Sequence, residues 1–306
     1  MITFIVNPNA RSGLGSRIWK QIQQILQERK VQHQVFFTKY QHHASRIVSQ
    51  ITSDGDSHTL IALGGDGTIN EVINGITFLD RVTLGYIPIG SGNDFARSLK
   101  LPSDPVTAIE YLLKPSHFTN MDVGVLWHGN KKRRFAVSTG IGFDASVCHE
   151  MAVSPLKLLL NKLKLGKLAY AGIAVRRIAA LIPQDVELVV DGHKTLGYKN
   201  AFFVAVMNQP YEGGGLKFCP KANSHDRRLN ALIVSDMSKL KALFLLPLSF
   251  HGLHTPFRGV SLLSFQNLEI RTQTPLPLHT DGEPVFLQKQ IKVSLEPETL
   301  RVMTLV

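Results

Sequence analysis

Three glycine-rich segments in the first third of the chain carry the residue types that hold phosphate. They are Asn7-Pro8-Asn9-Ala10-Arg11-Ser12-Gly13, Gly64-Gly65-Asp66-Gly67-Thr68-Ile69-Asn70-Glu71, and Pro88-Ile89-Gly90-Ser91-Gly92-Asn93-Asp94-Phe95-Ala96-Arg97. Glycine lets the backbone come close to a phosphate, and a helix opening after the turn adds free N–H groups and the positive end of its dipole. One such loop is as well explained by a tight strand-to-helix turn. Three in one half, two of them with aspartate, favour a phosphate site. None has the Lys-Ser/Thr of a Walker A loop and none fits GxGxxG, which weakens a dinucleotide reading. Asp66 would repel a bare pyrophosphate, so an acidic loop points to a polyphosphate bridged by Mg²⁺.

The elements that must position these loops alternate. Ile2 to Val6, Val35 to Thr38, Leu60 to Leu63 and Leu84 to Pro88 read as strands. Ser16 to Lys30, Ala44 to Thr52, Thr68 to Ile76, a stretch opening near Asn93, and Pro105 to Leu113 read as helices. Repeated βαβ units predict a mostly parallel sheet with ligands at its carboxyl edge. After about residue 120 the rhythm changes to short strands joined by turns such as Asp191-Gly192 and Asp281-Gly282, with helical stretches at Leu165 to Leu181 and Ser238 to Phe250. The expected fold is α/β: an N-terminal Rossmann-like nucleotide-binding domain over 1–120 and a β-rich, sandwich-like C-terminal domain over 121–295. The final strand, near 296–306, is expected to return to the first domain, with the two domains meeting across a cleft.

Taken together, Asn-Pro-x-x-x-Ser-Gly, Gly-Gly-Asp-Gly-Thr-x-Asn-Glu and Pro-x-Gly-Ser-Gly-Asn-Asp-Phe-Ala-Arg resemble the diacylglycerol kinase catalytic family, specifically its bacterial lipid kinase branch, related to sphingosine and ceramide kinases. Thr139-Gly140-Ile141-Gly142-Phe143-Asp144-Ala145, Gly213-Gly214-Gly215 with Pro220-Lys221-Ala222, and Asp281-Gly282-Glu283 extend the resemblance in order along the chain. It implies an ATP site formed by Asn7, Ser12, Gly13, Thr38, the run from Gly64 and Gly65 through Asp66, Gly67, Thr68, Ile69 and Asn70 to Glu71, and Ser91, with Asn93 and Asp94 beside it. It also implies that Glu283 is the general base. Asp66 is its rival, or else the organiser of Mg²⁺, and Asp281 is counted with them; Asp281-Gly282 is equally a plain hairpin turn. The implied reaction transfers the γ-phosphate of ATP to a hydroxyl of diacylglycerol or a related lipid. One departure concerns a secondary metal site. Where the family often has Asp-Gly-x-Leu-Asp, this chain has Asp226-Arg227-Arg228-Leu229-Asn230. Losing a carboxylate and adding a cation weakens any Mg²⁺ held near Asp226.

Composition narrows the partners. With 306 residues, a net charge of +11 and only two cysteines, Cys148 and Cys219, the chain favours polyanions and lacks a disulfide framework or zinc spacing, which suits the cytoplasm. The N-terminus has no signal-peptide pattern and no apolar stretch reaches membrane-span length, so the expected membrane contact is peripheral. From Met151 to Gln184 there is no acidic residue, while Lys157, Lys162, Lys164, Lys167, Arg176 and Arg177 stand among leucines. Such a segment fits an anionic membrane surface or, equally, a helix with a solvated basic face. Nucleic acid is not expected, since zinc-finger, RNP and basic-zipper patterns are absent. HExxH and GxSxG are absent too. An NAD-kinase-like small-molecule kinase, a non-catalytic nucleotide or lipid sensor and, last, a dehydrogenase are the alternatives.

Overall fold

The computed structural model describes residues 1–153 and 166–305. Six strands form the first sheet: β1 (Ile2–Val6), β2 (His33–Phe37), β3 (His58–Gly64), β4 (Val82–Pro88), β5 (His117–Met121) and β15 (Leu300–Thr304), in the order β2-β1-β3-β4-β15-β5. All neighbours are parallel except β15 and β5. Strands buried on both faces need continuous apolar runs, and alternate residues show where each face goes. Leu60 and Ala62 pack with α2 (His43–Thr52) and α3 (Asp66–Gly75) on one side. Ile61 and Leu63 pack with α1 (Ala10–Glu28) and α5 (Pro105–Leu113) on the other. The short α4 (Asp94–Ser98) follows β4.

The second sheet is antiparallel. It comprises β6 (Gly124–His128), β7 (Lys131–Phe135), β8 (Ser138–Gly142), β9 (Gln184–Val190), β10 (Lys194–Met207), β11 (Leu229–Ser235), β12 (Val260–Phe265), β13 (Leu268–Thr280) and β14 (Glu283–Leu295). Their order is β12-β11-β10-β8-β13-β14-β6-β7, with β9 pairing β10 and β13. Its inner face closes on itself: Val204 and Val206 meet Leu126, Leu188, Ile233 and Val293. The outer face, with Phe203, Ala205 and Met207, lies under α6 (Phe143–Val153), α7 (Gly166–Ala180) and α8 (Lys239–Leu248). The sequence reading had no helix at α6, and it expected short strands where β10, β13 and β14 run for 14, 13 and 13 residues. Of the basic stretch from Met151 to Gln184, Lys157, Lys162, Lys164 and the side chain of Lys167 lie outside the described residues.

Candidate active site

The first loop leaves β1 at Asn7 and holds three successive left-handed residues, Arg11, Ser12 and Gly13, with φ of 46, 57 and 91°. Two of these are not glycine, and each such residue costs about 1–2 kcal/mol. Strain of this kind gathers where a loop must aim its backbone at a ligand. Gly15 follows because any side chain there would meet the Asn7 carbonyl. Asn7 Nδ2 donates to Thr68 Oγ1 at 3.1 Å, tying the loop to the start of α3.

The second and third loops touch through their backbones. A Cβ on Gly90 would lie 2.7 Å from Gly65 Cα, so neither position admits a side chain without displacing the other. Asp66 bridges them: its carboxylate accepts N–H groups from Asn93 (2.7 Å) and Phe95 (3.4 Å), capping α4. Burial pushes the Asp66 carboxyl above its ordinary value, against the pull of those two donors. Asp94 accepts the Gly214 N–H at 2.7 Å and pairs with Arg97. Burial, and then the neighbouring Asp66 charge, push Asp94 up to about 7. Asn93, at φ 53°, leaves its buried Oδ1 without a partner among the described residues.

The third contributor comes from the other domain. Asp281 and Gly282, at φ 47 and 79°, form the two-residue turn of the β13–β14 hairpin, where Thr280 pairs with Glu283. Left-handed values at both central positions define a type I′ turn, which suits Asp-Gly. The Asp281 carboxylate accepts backbone N–H groups of Ala136, Val137 and Ser138, each at 2.9 Å, and Asn70 Nδ2 from α3 at 2.7 Å. Burial pushes its carboxyl up, while those donors pull it down. Fixed this way, Glu283 lies against the opening turn of α3, where a Cβ on Gly67 would be 3.1 Å from Glu283 Oε1. Its other oxygen accepts from Arg133 at 2.7 Å, and Arg133 also reaches Asn70 Oδ1 at 3.3 Å. Beside this group opens a cleft of about 650 Å³, lined by His42, Lys131, Arg133, His149, Pro284 and Phe286 among others.

Of the residues expected from sequence, Asp66, Gly67, Asn70, Asn93, Asp94, Asp281 and Glu283 come together. Ser12 and Ser91 lie exposed on their loops. Thr38 is buried at the end of β2, donating its N–H to Val6 O. Ile69 packs into the core, so any contact with a ligand would come from its backbone. Glu71 is occupied elsewhere: its two oxygens accept the N–H groups of His42 (2.8 Å) and Ala44 (3.1 Å) at the start of α2. Among the described residues Asp226 accepts only a local bond, from Arg228 N. Next to it the guanidinium of Arg227 bonds fully buried Asp122 at 2.9 Å and the carbonyls of Glu296 and Pro297. A covalently attached positive charge, one residue on from Asp226, therefore fills the place where Asp122 and those two carbonyls converge.

Sequence reasoning missed Arg133 and the support under the hairpin. His279, fully buried, accepts the Gly282 N–H on Nδ1 at 3.2 Å. Its proton is then on Nε2, facing Glu212 Oε1 at 3.1 Å and Asp144 Oδ2 at 3.2 Å. Cys148, Glu212 and His279 are close enough to share a metal ion. A metal on Nε2 would move the proton to Nδ1, straight against the Gly282 N–H, so the cluster is a hydrogen-bonded support for the turn. The only sequence signal was the His279-Thr280-Asp281-Gly282-Glu283 adjacency; nothing local reveals its partners.

A parallel sheet presenting phosphate-type loops to a carboxylate on a hairpin of an antiparallel domain is the build of a two-domain kinase. Comparisons place it within that class. The diacylglycerol kinase catalytic domain matches residues 1–126, and the YegS C-terminal NAD kinase beta sandwich-like domain matches residues 137–304. The chain belongs to the diacylglycerol kinase family. It is 32% identical over 306 residues, covering 98% of each chain, to "Putative lipid kinase YtlR" of Bacillus subtilis (strain 168). It is 30% identical over 230 residues, covering 73% of this chain and 70% of the other, to "Diacylglycerol kinase" of the same strain. A crystal structure titled as that of a putative diacylglycerol kinase from Bacillus anthracis str. Sterne shares the fold with a TM-score of 0.78 at 23% identity, covering 99% and 97% of the two chains. An NAD kinase from Archaeoglobus fulgidus in complex with ATP shares it more distantly, with a TM-score of 0.54 at 11% identity, covering 99% and 94%. Among the described residues no helix is long and apolar enough to cross a membrane.

Proposed function

We propose that this protein is an ATP- and Mg²⁺-dependent lipid kinase, transferring the γ-phosphate to a hydroxyl of diacylglycerol or a related lipid at a membrane face of the cytoplasm. The observation that carries the reading is the placement of Glu283 against Gly67, in the opening turn of the helix whose N–H groups and dipole suit an anion. Oxygen atoms suit Mg²⁺, and the Asp66 and Asp94 carboxylates with the orphaned Asn93 Oδ1 are all oxygen donors. When bound there, Mg²⁺ would offset phosphate charge as it accumulates in transfer.

The chain's own groups supply the rest. The three loops hold the polyphosphate in line through backbone N–H groups. Glu283, aimed by its bond to Arg133, accepts the proton of the acceptor hydroxyl as that oxygen bonds to the γ-phosphorus and the bond to the β-phosphate oxygen breaks, leaving ADP. The cleft lined by Pro284 and Phe286 gives the acceptor an approach with apolar as well as basic walls. An NAD-kinase-like reaction on a soluble nucleotide is the second reading, favoured by the fold shared with the ATP-bound NAD kinase.

The test is radiolabelled ATP with Mg²⁺ and total lipid extract. Labelled lipid is expected from the unaltered protein, and Glu283→Gln should lower the rate about 100-fold or more with nucleotide affinity kept. Label appearing only in soluble nucleotide, or full activity in Glu283→Gln, overturns the reading.

A further inference from the structure

The cluster around His279 belongs to the catalytic hairpin, and the cleft beside Glu283 to the site already described. The remaining feature without a role is α8 with the turn after it. Its sequence, Lys239-Leu240-Lys241-Ala242-Leu243-Phe244-Leu245-Leu246-Pro247-Leu248, is apolar on both faces. Inward, Ala242, Leu245 and Leu246 close an apolar cavity of about 50 Å³ whose far wall includes Phe143, Phe203 and Phe218. Outward, Leu240 is 80% exposed and Phe244 61%, and the following turn adds exposed Phe250 and Leu253. A helix apolar all round is normally buried or set against lipid, and four large exposed apolar side chains within 14 residues, on α8 and the turn after it, are of the kind that marks a contact surface.

Charge identifies the partner. Between Asp236 and Glu269 the chain has no acidic residue, while Lys239, Lys241 and Arg258 surround the patch. Lys239 Nζ donates to Ala179 O (2.6 Å) and Lys241 Nζ to Arg258 O (2.7 Å), bonds that leave both positive charges uncancelled. None of the three has a carboxylate partner among the described residues. Arg176 and Arg177, in the basic stretch that the sequence suggested for membrane contact, differ: both pair with Glu150. An apolar rim among unpaired cations is complementary to the boundary between anionic headgroups and acyl chains.

We infer that α8 and the turn after it are the surface by which this protein docks on an anionic lipid bilayer. Leu240, Phe244, Phe250 and Leu253 enter the interface, and Lys239, Lys241 and Arg258 face lipid phosphates. The inference deepens the lipid-kinase reading and rests on it for its purpose, since a water-insoluble acceptor must be met at its membrane.

The experiment is co-sedimentation of the full chain with vesicles of phosphatidylcholine alone or mixed with phosphatidylglycerol, at low and high salt. Binding to the mixed vesicles is expected, and Leu240→Ser with Phe244→Ser should lower the partition coefficient at least about tenfold. Because Phe244 touches Phe257, Leu240→Ser alone is the variant that spares the packing, and Lys239→Glu with Lys241→Glu, which also gives up the bonds to Ala179 O and Arg258 O, is read with a thermal-unfolding control. The charge pair should remove the salt-sensitive component, roughly fivefold per cation. Partition unchanged in all variants overturns the inference. So does a concentration-dependent dimer abolished by Leu240→Ser with vesicle binding intact, which would make the patch a contact between copies. Phosphorylation of lipid in detergent micelles is measured in parallel: its absence with α8-dependent docking present sinks the kinase reading alone, and the reverse result sinks the docking surface alone.

Discussion

Replacing Asp281 by asparagine should loosen the junction of the two domains before it touches the chemistry. The carboxylate receives two N–H donors on each oxygen, Val137 and Ser138 on one, Ala136 and Asn70 on the other. Asparagine keeps the shape, but whichever way its amide is turned, the NH₂ group confronts two donors. Hydrogen bonds to a charged acceptor are worth about 1.5–3 kcal/mol each, so two lost bonds amount to roughly 3–6 kcal/mol. Burial works the other way, because it already opposes the charged form of Asp281 and a neutral amide escapes that opposition. The net effect should fall near about 3 kcal/mol, a large part of a stability that is typically 5–15 kcal/mol. Thermal unfolding should then come about 5 °C earlier. Tryptophan fluorescence is a suitable assay, since Trp19 lies in the first domain and Trp127 in the second, and both should report the shift. A change below about 1 kcal/mol, or full stability with abolished turnover, would refute the reasoning and make Asp281 a chemical participant.

Two further substitutions probe the same framework. Asp94 holds a proton up to about pH 7 when folded but only to about pH 4 when unfolded, so its stabilising contribution is complete below about pH 4 and disappears as pH rises through 7. The stability gap between the unaltered protein and Asp94→Asn should therefore decline across that window, on the order of 1 kcal/mol per pH unit, and a pH-independent gap in urea titrations would contradict it. Arg227→Ala strips fully buried Asp122 of its cation and should lower stability by about 2–4 kcal/mol, less than for a wholly buried pair because Arg227 is half exposed. Arg227→Gly should lose about 1 kcal/mol less, because Arg227 sits at φ 58°, and equal losses for the two would count against the backbone part of the argument.

The first domain was legible because its signals are local. The apolar run Leu60 to Leu63 ends in Gly64-Gly65, and both the strand and the turn can be read from those residues alone. The β-rich character of the second domain was legible from its short runs and turns, but α6 was not: its sequence, Phe143 to Val153, has almost no helical patterning because it is covered from several sides. Long strands were cut short for a related reason. β13 passes from the closed end of the sheet to the site through Thr272, Gln273, Thr274 and Pro275, where its pairing with β14 shifts register, and polar residues at a bulge read as a loop. In the site, the residues with a local signature, the glycines and Asp66, were found. Asn70 and Asp281 were named as well, but their contact across 211 positions of sequence was not, and Arg133 was missed because it is one of four successive cations with nothing to single it out.

That distribution of signals follows from how the cleft is closed. Each side of the site is rigid alone: the loops are locked by Asp66 on α4 and by Gly65 against Gly90, and the hairpin by Asp281 and His279. What sets the two sides at a working distance is the bonding between domains, which includes Asn70 to Asp281, Gly214 to Asp94, Arg133 to Asn70, and the bonds of Arg134 with Asn70, Ile73, Asn74 and Ile76. The first two use carboxylates whose burial already opposes their charge, so these contacts are strong when made and unfavourable when half made. The distance between Glu283 and the phosphate loops is therefore a property of the domain junction. Substitutions at Asp281 or Gly214 should alter turnover by moving the hairpin as a body, without changing any group that handles a proton.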